Sequence, residues 1–251
     1  IRDSPYVLGV SAGAAVGASL AIVLGAGLTF WGVSVMSISA FVCSLIAVFT
    51  VYNISKVGSR VPVTTLLLSG MAVSIFLSAI VAILQVVAGE RLHAIVFWLM
   101  GGFSYVEWRD VWAALPLVFI GTLAMHFYVR DLNIFSLGEE TAQHLGVDVE
   151  RVKKMLLVFG SLTTAASVSI SGLIGFVGLM IPHMTRILVG PDHRILLPAS
   201  TIAGATFLVI CDAIARVILS PIELPVGVIT ALSGGPFFIY LLRKKKEGYA
   251  M

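Results

Sequence analysis

Charge is scarce in this sequence. Only 12% of the 251 residues are Asp, Glu, Lys or Arg, whereas a soluble domain carries about a quarter. With 59% hydrophobic residues and a mean hydropathy of +1.04, a soluble globular chain is excluded and a membrane protein is implied. Cysteine is nearly absent as well. Cys43 and Cys211 both lie inside apolar runs without CxxC or Cys/His spacing, so neither a disulfide framework nor a zinc site is suggested, and both read as packing residues. The opening Ile1-Arg2-Asp3-Ser4-Pro5 lacks the basic start and cleavage site of a signal peptide. There is no initiator Met, so residue 1 need not be the native start.

Catalytic signatures are missing too. No GxxxxGK[ST] phosphate loop, no GxSxG elbow and no pair of carboxylates within an apolar run occurs. The chain therefore offers no catalytic residue and no recognisable ATP site, and energised work would need another subunit. His183, Asp192 and His193 lie close in sequence but lack metal-ligand spacing, so capping or packing is the expectation and no metal is implied. His126, alone inside an apolar run, reads as a buried polar contact.

What is present is a series of apolar runs near the ~20 residues that cross a bilayer as a helix. Lipid offers no partner to backbone N–H and C=O groups, so the expected class is all-α, a polytopic transmembrane helical bundle. Eight segments are expected: Tyr6–Phe30, Val35–Ile54, Val63–Ala88, Val111–Val129, Met155–Gly175, Phe176–Val189, Ile195–Val209 and Val226–Leu242. The stretches Ala94–Phe103 and Ala213–Ile222 are too short to cross and read as pieces lying at one face or dipping into the bundle. Lys56, Arg60, Arg130, Arg151, Lys153, Lys154, Arg186, Arg194 and the tail from Arg243 to Lys246 fall on one side of that topology, leaving Arg91, Arg109 and Arg216 on the other. The positive-inside rule then makes both the C-terminus and the stretch around Ser136 cytoplasmic. Trp98, Trp108 and Trp112 gather at outer segment ends, as an interfacial aromatic belt would. Gly9, Gly13 and Gly17 lie four apart on one helix face, where missing side chains let two backbones approach; tight packing is the expectation.

The longest polar passage is SLGEETAQHLGVDVERVKK, Ser136 to Lys154. Ser136 and Glu139 have the spacing of a capping box, Gly146 is placed to end a short helix, and Asp148 to cap a second one running into the next membrane segment. An ordinary solvated loop is one reading; a helical knob that fits a groove on a soluble partner is the other. Asp212 and Arg216 stand at the spacing of an intrahelical ion pair. Arg216, near the outer face with Glu223 close by in sequence, could pair internally or receive a carboxylate from outside.

The motifs DSPYVLGVSAGAAVGA, LLLSGMAV, FWLMGGFSYVEWRD, LGEETAQHLGV, SGLIGFVGLMIPHMTR, DHRILLPASTIAGATFLVICDAIAR and ELPVGVITALSGGPFFIYLLRKKK occur in that order over essentially the whole chain. Together they resemble the FecCD-type permeases that import iron-siderophores, haem and cobalamin with an ABC ATPase. The resemblance implies a type II ABC importer permease, one transmembrane domain over residues 1–251 with cytoplasmic coupling helices at 136–152. The family fold has ten membrane helices per subunit, so this chain is expected to lack the first two, along with an arginine-containing stretch that helps dock the binding protein. Implied partners are a second permease copy forming a homodimer, two ABC ATPase subunits that bind the ATP, a soluble or lipid-anchored substrate-binding protein and membrane lipid; no cofactor of the chain's own and no nucleic acid are implied. Residue by residue, Leu137, Gly138, Glu139, Glu140 and Gly146 match the ATPase-coupling stretch, and Val63, Thr64 and Thr65 the cytoplasmic gate. Met71, Ile75, Ser78 and Gln85 fall on the pathway-lining segment, the last segment also faces the pathway, and Arg216 matches the arginine that receives the binding protein's carboxylate. The expected location is the cell membrane of a prokaryote, plasma or inner, crossed several times. Other classes are an ion-gradient-driven secondary transporter, whose midplane carboxylates are wanting here, and a truncated non-transporting piece. Which chelate is carried stays open.

Overall fold

The computed structural model describes residues 9–25, 29–30, 33–56, 58, 61–104 and 106–247. Tyr6 and Arg60 lie outside the described residues, as do the side chains of Lys244 to Lys246. The helices in chain order are α1 (Val10–Val23), α2 (Val35–Ser55), α3 (Val63–Val87), α4 (Leu92–Met100), α5 (Trp108–Phe127), α6 (Val129–Phe135), α7 (Glu139–His144), α8 (Val149–Ser171), α9 (Val177–Val189), α10 (His193–Val217) and α11 (Val226–Glu247). A two-residue antiparallel pair, β1 (Thr29–Phe30) with β2 (Val33–Ser34), separates α1 from α2. Among the described residues, α2, α3, α5, α8 and α10 are long and apolar enough to cross a membrane, and Val10–Val23, Val177–Val189 and Val226–Leu241 are shorter apolar helices. Each of the eight expected segments overlaps one of these helices with shifted ends, and five of the eight have the length to cross.

The shifts have local causes. α1 stops at Val23 instead of reaching Phe30, because Gly25 turns into the left-handed region at φ 67°, which glycine enters without steric cost. Arg91 then takes over the freed carbonyls, donating to Val23 O at 2.7 Å and Ile22 O at 3.2 Å. α10 runs on to Val217, absorbing the front of the stretch expected to be a separate short piece. Its Asp212–Arg216 pair is satisfied within the helix, and the next proline is Pro221. α8 starts at Val149, inside the polar passage, because Asp148 caps it there.

The chain divides into two compact units, Ile1–Leu99 with Ser104–Leu173, and Met100–Phe103 with Ile174–Met251. In the first, α1 and α2 pack backbone to backbone. A Cβ on Gly13 would stand 2.6 Å from Cys43 O, and one on Gly17 would overlap the Ser39 carbonyl oxygen. Ala14, Ala18 and Ala40 fill the same seam, and the Ser44 hydroxyl donates across it to Val10 O at 3.1 Å. Lipid tails are as apolar as leucine, so this close packing and the hydroxyl bonds, rather than water exclusion, hold the pair. Gly121 on α5 likewise receives the Thr163 side chain of α8. In the second unit Cys211, Ala215 and Val226 form a buried cluster with Phe103, Ile174 and Phe207 around it. His183, after Pro182 in α9, packs edge-on against Phe237 with ring centroids 6.3 Å apart, the packing role expected of it.

Two expectations fail. Trp108 and Trp112 are exposed at 78% and 67% as a belt requires, but Trp98 packs on the Ala14–Ala18–Ala40 seam and its indole nitrogen is buried without a partner. The neighbours there, Ala14, Ala18 and Ala40, are small, and the ring packs on them instead of facing outward. His126 is exposed, not a buried contact, because α5 meets α8 through the face carrying Gly121.

Candidate functional site

The polar passage is ordered by turn chemistry, though not by all of the groups expected. α6 continues through Phe135, so Ser136 is its C-terminal residue and the hydroxyl donates back to Asn133 O at 2.6 Å. The expected Ser136–Glu139 capping box does not form. Gly138, at φ 111°, precedes α7 instead, with no side-chain cap. At the other end, Gly146 N–H donates to Gln143 O and Val147 N–H to Ala142 O, each at 3.0 Å, with Gly146 at φ 83°. That is the bond pair of a Schellman ending, which a left-handed glycine permits. Asp148 Oδ1 then accepts Arg151 N–H at 3.1 Å and starts α8.

Ala142, Val149 and Val152 are buried beneath this knob, while Leu137 and Leu145 are 66% and 60% exposed beside exposed Glu140, Gln143 and His144. Two bare leucines on an otherwise polar surface suit a protein partner better than water, since large apolar groups at a polar rim are what interfaces bury. Glu139, matched with Glu140 to the coupling stretch, pairs with α8 while staying half exposed, its Oε2 accepting from Lys153 Nζ at 2.7 Å.

The residues ahead of α3 are tied down from two sides. Pro62 is the N-cap, Thr65 Oγ1 donates to Ser55 O at 3.1 Å and Pro62 O at 2.9 Å, and Val61 N–H donates to Glu150 Oε2 at 3.3 Å. Val63 and Thr64 are exposed and Thr65 half-buried. Along α3 only Ser69, Gly70 and Val81 are buried. Met71, Ile75 and Ser78 are exposed and Gln85 half-buried, and at 100° per residue the four share one face. That face combines a thioether, a branched aliphatic group, a hydroxyl and an amide, with no charge.

In the second unit Arg216 Nε donates to Asp212 Oδ2 at 2.8 Å, as the spacing predicted. The guanidinium side is the more open, 44% exposed against 24% for the carboxylate. Glu223 is exposed in the following turn. Among the described residues no group of three or more His, Cys, Asp or Glu is placed to hold a metal ion. Sequence reasoning passed over Lys153 and Glu150 as site residues. Their mutual spacing is helical, but the partners that give them meaning, Glu139 and Val61, are reached only through the fold.

The family model of the FecCD transport family matches residues 3–244. The cobalamin import system permease of Halobacterium salinarum is 48% identical over 244 residues, covering 96% of this chain and 64% of that protein. The hemin transport system permease of Yersinia pestis is 34% identical, covering 97% of this chain and 73% of its own length. A solved structure described as an inward-facing metal-chelate type ABC transporter superposes with a TM-score of 0.86 at 34% identity, over 96% of this chain and 76% of that one. The chain thus spans about two thirds to three quarters of the relatives it matches. Match, order of motifs and helical framework agree, and the chain belongs to the FecCD transport family.

Proposed function

We propose that this chain is the membrane permease subunit of a binding-protein-dependent ABC importer that brings a metal chelate into a prokaryotic cell, with a separate ATPase subunit supplying the energy. The observation that carries the reading is the match across residues 3–244 to a transport family whose members similar to this chain are named for cobalamin and hemin. The 48% identity with the cobalamin permease favours a corrinoid as the chelate.

In this reading the knob from Leu137 to Gly146 is the cytoplasmic face that docks on the ATPase. Exposed Leu137 and Leu145 supply apolar contact, Glu140 charge, and the glycine turns at 138 and 146 a fixed shape. The exposed face of α3 meets its copy in a second subunit, and between them Met71, Ile75, Ser78 and Gln85 wall the pathway. Uncharged, mixed side chains hold a bulky chelate weakly enough to let it leave. Val63, Thr64 and Thr65 close the pathway at the cytoplasmic end. Arg216 exchanges its internal carboxylate for one on the binding protein, a trade its open side permits. ATP-driven motion of the ATPase pair shifts the permease between outward-open and inward-open states by favouring one of them. The basic tail from Arg243 supports a cytoplasmic C-terminus by the positive-inside rule.

Proteoliposomes holding the chain with its ATPase and binding protein test this with labelled cobalamin, hemin and a ferric siderophore. ATP-dependent accumulation of one of them is expected. Uptake driven by an ion gradient without ATP would replace the reading with secondary transport.

A further inference from the structure

The side chain of Lys153, in the first turns of α8, is only 16% exposed, and its ammonium lies 2.7 Å from Glu139 Oε2 on α7. It is also 3.9 Å from Glu150 Oε1, one turn earlier. The second oxygen of Glu150 accepts the backbone N–H of Val61, the residue before the Pro62 cap of α3. One cation and one carboxylate thus join three stretches of the first unit: the knob, the start of α8 and the turn that begins α3. The partners lie 14 and 89 positions apart in sequence.

The chemistry suits a mechanical link. The Schellman ending at Gly146 and the Asp148 cap make α7 and the first turn of α8 one stiff body. Pro62 has no N–H, so the Val61 N–H is the last backbone donor before the helix, and a carboxylate beside a helix start is further favoured by the helix dipole. A bond from a backbone N–H to an ionised carboxylate is stronger than one between neutral groups. Most of the Lys153 side chain is covered, which fixes its ammonium between Glu139 and Glu150, acids that are themselves 51% and 37% exposed.

We propose that Glu150 and Lys153 are positioning residues that carry displacement of the knob to the turn at Val61–Thr65, so that a partner docked on α7 acts on the entrance of α3 through them. The proposal rests on the importer reading for its functional meaning. In this role neither residue needs to touch the ATPase or the chelate; their effect is on how tightly the two ends are coupled.

Two measurements on the intact transporter test it, using Glu150→Ala, Glu150→Gln, Lys153→Met and Lys153→Arg. The first is chelate transported per ATP hydrolysed in proteoliposomes. Glu150→Ala and Lys153→Met are expected to lower that ratio about five- to tenfold, a typical size for coupling between sites, with the ATPase still bound. Glu150→Gln keeps an oxygen for Val61 N–H, and Lys153→Arg keeps the charge, so both should recover most of it. The second is amide hydrogen exchange of residues 61–66, which should quicken in Glu150→Ala while α1 is unchanged. An unaltered ratio, an unaltered exchange rate at 61–66, or loss of ATPase binding in Lys153→Met would each overturn the proposal. If the unaltered protein drives no ATP-dependent uptake while Glu150→Ala still loosens only 61–66, the importer reading fails and the physical link stands.

Discussion

α1 and α3 are both apolar helices of the same unit, yet one is sealed and the other bare. In α1, Val10, Ala14 and Ala18 are wholly inaccessible, and glycines at 13 and 17 let the α2 backbone approach within what a Cβ would need. In α3, Met71 is 47% and Ile75 72% exposed, with Phe76 and Ile83 above 60%. Apolar character alone does not separate these helices. Side-chain size does: small residues mark where helices of this chain meet each other, and large ones mark surfaces left for lipid, a second subunit or a passing solute.

The hardest way to break this contrast is Gly17→Leu. A side chain there has to displace the Ser39 carbonyl region, and backbone cannot yield as a flexible side chain does. The expected cost is about 3 kcal/mol or more, seen as loss of a monodisperse peak in detergent and a lower melting temperature. Ile75→Trp sits on the bare face and should do the opposite. Stability stays within roughly 0.5 kcal/mol, while chelate uptake falls about tenfold, equal to ~1.4 kcal/mol on the barrier. Unchanged uptake would assign that face to lipid instead.

The second unit supplies a polar version of the same contrast. Arg216→Glu should weaken binding-protein affinity about tenfold at low salt and less at high salt, where the Debye length shortens. Asp212→Asn, which frees the guanidinium, should move affinity the other way. Equal losses from both would make the pair structural. The smallest effects belong to the knob's ends. Asp148→Ala removes an observed cap and should cost about 1 kcal/mol. Ser136→Ala should cost a few tenths, because its hydroxyl serves only the exposed end of α6. Thermal melts of the two variants side by side check that order.

Much of this framework is legible before any coordinates. Apolar runs mark the membrane helices, Asp212 and Arg216 announce their pair by spacing, and Gly146 and Asp148 act as turn chemistry requires. The failures share a physical cause, competition that spacing does not show. Ser136 has the right neighbour for a capping box, but α6 runs into it and claims its hydroxyl. Glu139 reads as the other half of that box until α8 brings Lys153 beside it. Phe30 reads as helix until Gly25 and Arg91 close α1 early. Of the candidate site, α3's bare stripe follows from periodicity once its neighbours are known, whereas the link from Lys153 through Glu150 to Val61 depends on contacts that only the fold creates.

The most direct test of the claim that α3 walls a moving pathway is thiol accessibility. With Cys43 and Cys211 replaced by alanine, Ile75→Cys is reacted with a membrane-impermeant thiol reagent added from one side, with and without ATP trapped on the partner. The account predicts that reactivity from that side switches severalfold between the two states, as alternating access demands. Equal reactivity in both, or none from either side, would contradict it.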